Sequence, residues 1–249
     1  MNKRIPKTLT VAEKSYVSPN MLRIILTGKE LDESLAWHPG SYVKLMIPHS
    51  SEAGDKPKIR TYTARSFDPQ TRTISIDFAI HQPAGPATSW ALNTQQRDEI
   101  EVMGHGQLKA DPTKGDWYIF AADMAALPAA ISVMESLEPD AKGYAFLEIT
   151  TEEDKQKLAI PEGIEVRWLI HPHPEVRSSQ QLEAIKGLAH MKGTPNVFVA
   201  GELGTIREIK HHIKNDVRFS GAFLYISSYW KIGLKEEEHK IAKRQTSFV

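Results

Sequence analysis

The chain has 249 residues, with 31 basic and 31 acidic side chains and zero formal net charge, so no global field favours a nucleic acid or a membrane and electrostatic recognition must be local. It contains no cysteine, which excludes disulfides, a thiol redox pair, thiolate zinc and a cysteine-ligated iron–sulfur cluster; electron transfer would need an organic cofactor. No stretch approaches the roughly 20 apolar residues of a bilayer span, and the basic start MNKRIPKTLTVAEKSY lacks the apolar run of a signal peptide, so a cytoplasmic location is expected.

Residues 5–17 and 20–27 alternate apolar with polar side chains and favour β-branched residues, which predicts two half-buried strands joined at Ser18-Pro19-Asn20. His38-Pro39-Gly40 forms a turn before the strand SYVKLMIP, and the polar loop HSSEAGDKPK leads to the strand IRTYTARSF. After the DPQ turn comes the strand TRTISIDFAIH; GPATSWALNTQ is helical with Pro86 in its first turn, and DEIEVMGH returns as a strand. Six strands at short spacing with one helix predict a small antiparallel barrel.

The pattern changes after Gly104. HGQLKADPTKGD has the composition of a linker, and WYIFAAD is a continuous apolar run expected of a strand covered on both faces. MAALPAAISVMESL predicts a helix, followed by the strands KGYAFLEIT, GIEVRWLIH, PNVFVAGE and AFLYISS. The helical segments VRSSQQLEAIKGLAH and GTIREIKHHIKND fall between them, and the tail LKEEEHKIAKRQT forms a charged terminal helix. Strands alternating with helices predict a mostly parallel α/β sheet. The expected architecture is therefore β plus α/β, with an antiparallel six-stranded barrel over residues 1–112 and a nucleotide-binding-like α/β domain over 113–249.

The span from Lys58 to Ala91 carries residues that suit a flavin. On an extended strand Arg60 and Tyr62 share one side and Thr61 and Thr63 the other; an Arg fork holds phosphate and a Tyr face stacks on an aromatic ring. Asp77, Ala79 and His81 share a face of the next strand. Gly85 then lets backbone approach a phosphate, the helix starting at Pro86 presents unpaired N–H groups, and Thr88 and Ser89 add hydroxyls.

These residues, Arg60-Thr61-Tyr62-Thr63, Asp77-Phe78 with His81, and Gly85-Pro86-Ala87-Thr88-Ser89-Trp90-Ala91, resemble the signature of the siderophore-interacting protein family. The likeness continues in Asp123 with Ala126-Leu127-Pro128-Ala129, in Ala200-Gly201-Glu202 and in Tyr229-Trp230-Lys231 with Gly233. The resemblance implies an FAD-dependent ferric-siderophore reductase of the ferredoxin–NADP reductase superfamily, with an FAD-binding barrel. It implies that Arg60, Tyr62 and Thr63 position the FAD, Thr63 beside its N5. Asp77, Phe78 and His81 would hold the flavin and ribityl region, and Gly85, Ala87, Thr88 and Ser89 the pyrophosphate. NAD(P)H, where used, would dock at the carboxyl edge of the second sheet, near Asp123, Gly201 and Glu202.

Two departures leave the donor open between NAD(P)H and a ferredoxin-type protein. Ala122-Asp123-Met124-Ala125 stands where the family usually has Gly-Asp-Glu-Thr, and His171 stands where an Arg often follows the tryptophan of that strand. Many ferric siderophores are anionic, so cations are expected beside the flavin edge; the candidates are Lys56, Lys58, Lys114, Lys240, Lys243 and Arg244. No catalytic group beyond the flavin and no metal site is expected: His171-Pro172-His173 sits in a proline loop without a third ligand, and His211-His212 is a surface pair. Two alternatives remain, a general flavin reductase using NAD(P)H or ferredoxin and a siderophore- or flavin-binding module without turnover.

Overall fold

The computed structural model describes residues 6–31, 37–48, 56–234, 238, 239 and 242. The chain divides into two compact units, Met1–Leu108 and Lys109–Val249. The segment after Leu108 goes with the second unit because Asn196 donates through its side-chain amide to the carbonyls of Asp111 at 2.7 Å and Lys114 at 2.9 Å.

The first unit contains β1 (Lys7–Ser18), β2 (Met21–Thr27), β3 (Tyr42–Ile47), β4 (Lys58–Asp68), β5 (Thr73–Ala79), α1 (Pro86–Asn93) and β6 (Glu99–Gly106). The strands close into an antiparallel barrel in the order β1-β2-β5-β4-β3-β6. Alternation decides which side chains fill it: Leu22, Ile24 and Leu26 from β2 and Ile74, Ile76 and Phe78 from β5 enter one core. Each fully buried side chain of this size contributes about 1.5–3 kcal/mol. β4 has an irregularity between Ala64 and Ser66, which shifts its register against β5.

The second unit contains β7 (Trp117–Ala122), α2 (Leu127–Met134), β8 (Lys142–Ile149), β9 (Gly163–Ile170), α3 (Gln180–Lys186), β10 (Pro195–Glu202), α4 (Leu203–Asn215) and β11 (Phe223–Trp230). All strand pairs are parallel, in the order β11-β10-β7-β8-β9. β7 and β10 are buried along their whole length, as central strands covered on both faces must be. α3 and α4 share a core with these strands through Leu182, Ile185, Ile206, Ile209 and Ile213. The sheet order reverses between β7 and β10, the switch point at whose carboxyl side open α/β sheets hold ligands.

Several boundaries differ from the sequence-based expectation. α2 starts at Leu127, not at Met124, because Asp123 folds the preceding residues into a turn. α3 occupies only Gln180–Lys186 of the segment 176–190. β11 runs on through Tyr229 and Trp230, two residues beyond the expected strand. Of the charged tail, Glu238, His239 and Ala242 are helical, and buried His239 lies 3.0 Å from the Ser228 hydroxyl through its Nε2.

Candidate cofactor site

In β4, Tyr62 is partly buried and packs against the barrel core. Its ring centroid is 4.4 Å from that of Phe78, which in turn is 5.8 Å from Trp90, so one aromatic run joins β4, β5 and α1. Arg60 is half-buried and donates through Nη1 to the Ile59 carbonyl at 3.1 Å. Thr63 is buried and pairs with Tyr42 across the β3–β4 ladder.

β5 supplies two residues whose expected roles change. The Phe78 side chain has no exposed surface, because position 78 shares the inward face with Ile74 and Ile76; it backs Tyr62 and cannot itself touch a ligand. The carboxylate of Asp77 is engaged by Arg23, its opposite residue on β2, through Nε to Oδ1 at 2.6 Å and Nη2 to Oδ2 at 2.8 Å. Any effect of Asp77 on a flavin therefore passes through this pair. β5 also ends at Ala79, so His81 does not continue its face; the imidazole is exposed, with Nε2 3.3 Å from the Thr88 hydroxyl.

α1 begins without a side-chain cap. Gly85 is its N-cap residue, in extended geometry with φ −76° and ψ 172°, and Pro86 is the first helical residue. The N-terminal end of a helix carries partial positive charge, and here no side chain of the cap neutralises it. Ala87 and Thr88 are buried in this first turn and Ser89 is half-buried. A cavity of about 420 Å³ lies alongside, lined by Pro48, Ala84, Pro86, Ser89, Trp90 and Asn93. An uncapped helix start, two hydroxyls and an adjoining cavity fit a dinucleotide pyrophosphate, and the exposed part of Tyr62 fits a flat ring system. Arg23, Trp90 and Asn93 were not anticipated as part of this site. Arg23 gave no sequence signal, whereas Trp90 stood inside the quoted motif and its contact with Phe78 needed only helical spacing from Gly85.

In the second unit, Asp123, Gly201 and Glu202 do meet. Asp123 Oδ2 accepts from the Glu202 backbone N–H at 2.8 Å and from Trp230 Nε1 at 2.7 Å. Burial raises the Asp123 pKa to about 6, opposed by the Trp230 hydrogen bond and assisted by the charge of Glu148. Glu148 is itself shifted up, first by burial, against a hydrogen bond from Ser178 and the charge of His171. Burial also holds the Tyr229 hydroxyl well above its ordinary value.

The cationic candidates separate. Lys56 is exposed and Lys58, half-buried, opens β4. Lys114 pairs with Asp111 at 3.2 Å and lies 5.6 Å from the Phe223 ring centroid. Lys240, Lys243 and Arg244 lie outside the described residues. Among the histidines, His171 Nε2 is 2.8 Å from the Val176 carbonyl, and His173 is 3.3 Å from Glu175. His212 is not on the open surface: its side chain is 20% exposed, edge-on to Phe219, and burial lowers its pKa.

A closed antiparallel barrel followed by a five-stranded parallel sheet, with an uncapped glycine–proline helix start on the barrel, is the two-unit architecture of ferredoxin–NADP reductase-like flavoproteins. Ferredoxin-NADP+ reductase from Plasmodium falciparum superposes with a TM-score of 0.62, covering 84% of this chain and 92% of that one; at 13% identity it shows the fold alone. Residues 10–54 and 50–108 match the siderophore-interacting FAD-binding domain, and residues 115–233 match the siderophore-interacting protein domain. The chain belongs to the siderophore-interacting protein family, and its cofactor is FAD. Ferric vibriobactin reductase ViuB of Vibrio cholerae is 32% identical over 94% of this chain and 92% of its own length. The siderophore-interacting protein SipS from Aeromonas hydrophila is 28% identical, with a TM-score of 0.85 over 98% of both chains.

Proposed function

We propose that this chain is an FAD-dependent ferric-siderophore reductase that releases iron as Fe(II). The observation that carries the reading is the likeness, along nearly the whole length of both proteins, to a ferric vibriobactin reductase. It is supported by a barrel face whose residues suit a flavin and by the absence of any cysteine as a competing redox centre.

Bound FAD supplies the conversion between a two-electron store and the one-electron reduction of Fe(III), so one fully reduced cofactor serves two ferric ions. The chain's own residues bind and orient. Tyr62, held by Phe78, offers an aromatic face, and Arg60 and Thr63 flank it on the same strand. Gly85, Thr88 and Ser89 at the start of α1 receive the pyrophosphate. Asp77 acts at one remove by fixing Arg23 across β2 and β5. Lys56 and Lys58 attract an anionic ferric chelate toward the barrel. Iron stays in its chelator during electron transfer, and Fe(II) then leaves because oxygen-rich siderophores hold it less tightly than Fe(III).

The test uses holoprotein reduced anaerobically and mixed with ferric siderophores of catecholate and hydroxamate type, with an Fe(II)-specific chelator reporting product. Saturable reduction of at least one ferric siderophore, faster than that of ferricyanide or free flavin at equal concentration, is expected. Rates no faster than with those generic acceptors would sink the reading.

A further inference from the structure

A dinucleotide docking on an open α/β sheet needs free backbone N–H groups at the strand-to-helix turn beside the switch point, where the diphosphate sits. In this chain the positions of the turn after β7 from Ala125 to Pro128 have none to offer. Asp123 Oδ1 accepts from Ala125 N–H at 3.0 Å and Ala126 N–H at 3.2 Å, and its carbonyl accepts from Ala126 at 2.9 Å and Leu127 at 2.8 Å. Pro128 has no N–H, and Ala129 donates to the Ala126 carbonyl at 3.1 Å.

Asp123 also spans the switch point. Its Oδ2 takes the Glu202 N–H at the end of β10 and the Trp230 indole at the end of β11. Gly201, with φ +146°, makes room for this carboxylate and not for a ligand: a Cβ there would stand 2.4 Å from Asp123 Oδ2. The neighbouring turns are closed in the same way. Glu202 caps α4 by accepting from Thr205 N–H at 2.9 Å through Oε2, and its Oε1 takes the Ile232 N–H at 3.3 Å. After β8, fully buried Asp154 forms a capping box with Thr151, accepting its N–H at 3.0 Å. Glu148 adds a fourth carboxyl near this edge, with Oε2 buried and lacking a hydrogen-bond donor.

We infer that the strand-end edge of the α/β unit is closed to a pyridine dinucleotide by the chain's own carboxylates, with Asp123 as the residue that shuts the switch point. The diphosphate would have to displace Asp123 from four donors, and it would meet Glu202 as a like charge. NADH and NADPH therefore do not form a docked complex at this edge. The inference bears on electron supply only if the chain is the flavin reductase proposed above; as a statement about binding it stands separately.

The test is calorimetric titration of the full-length holoprotein at pH 8, with NADH, NADPH and the redox-inert probe ADP-ribose. No saturable heat is expected up to about 1 mM, equivalent to binding weaker than about 4 kcal/mol. Saturable ADP-ribose binding in the micromolar range would overturn the inference. Asp123→Ala, which frees the Ala125 amide and removes the carboxylate from the switch point, is expected to strengthen ADP-ribose binding at least tenfold where circular dichroism shows it folded; a folded variant with no gain also overturns it. If that variant does not fold, the wild-type titration decides alone. Saturable binding with intact siderophore reduction removes this inference and leaves the reductase reading. Absent binding, with no siderophore reduced by chemically reduced holoprotein, does the reverse.

Discussion

Arg23 and Asp77 face each other across the β2–β5 ladder and join through two parallel hydrogen bonds of 2.6 and 2.8 Å. The pair is asymmetric in burial: the Asp77 side chain is 2% exposed and that of Arg23 29%. Deleting Arg23 strands a buried carboxylate, whereas deleting Asp77 leaves a guanidinium that can reach water. Arg23→Ala is expected to cost about 3 kcal/mol of unfolding free energy, and Asp77→Ala less, about 1–2 kcal/mol. Parallel urea denaturation of both variants checks this, and equal losses would show that burial does not set the cost.

Gly85 separates cofactor binding from folding. A Cβ at this position would find only the His81 ring, at 4.0 Å, and the backbone geometry suits any residue. Gly85→Ala should therefore leave stability within about 0.5 kcal/mol of wild type. The methyl group would stand where a pyrophosphate approaches the α1 amides, so the FAD dissociation constant should rise about tenfold, or about 1.4 kcal/mol. Flavin fluorescence on dilution measures the second effect and thermal unfolding of the apoprotein the first; unchanged FAD affinity would remove Gly85 from the pyrophosphate site.

The raised pKa of Asp123 makes stability depend on pH. Burial, its largest cause, lifts the group from 3.8 to about 6 in the folded chain. The folded state then holds the proton more tightly than the unfolded state. The stability this proton contributes is complete below about pH 4 and is lost as pH rises through about 6. Asp123→Asn abolishes this titration, and its amide nitrogen cannot accept from Trp230 and Glu202, which should cost about 2–3 kcal/mol at pH 7. The stability gap between wild type and variant should be larger at pH 4.5 than at pH 7. A gap independent of pH would mean that the carboxyl titrates alike in both states.

Lys56 and Lys58 precede and open the strand that carries Arg60, Tyr62 and Thr63. Reversing both to Glu should slow reduction of an anionic ferric siderophore about tenfold at low ionic strength, and the difference should shrink above about 0.5 M salt as screening shortens the field. Reduction of a neutral ferric chelate should change little. Equal slowing of both chelates would point to damage at the flavin face and not to steering.

The two-unit architecture was legible because its signals are local. Alternation over 20–27 and 71–81, continuous apolar runs at 117–123 and 195–202, and helical periods between them give element types without knowledge of partners. That Arg60, Gly85 and Thr88 lie within one hairpin and its following helix was legible for the same reason. The placements of Phe78 and His81 were not legible because a local motif does not carry its surroundings. A strand pattern cannot tell that Phe78 points into a closed barrel, nor that β5 stops at Ala79 and leaves His81 outside.

The sequence by itself determined which segments are strands and helices, that the sheets differ in kind, and which span carries a glycine, hydroxyls and an aromatic side chain together. Only the tertiary structure decided what the carboxylates do. Asp77 is engaged by Arg23, 54 positions away, and Asp123 by Trp230, 107 positions away. The physical reason is that strand pairing, set by the register of whole sheets, brings such groups together, and an acid is an anchor or a ligand site according to which donors reach it first.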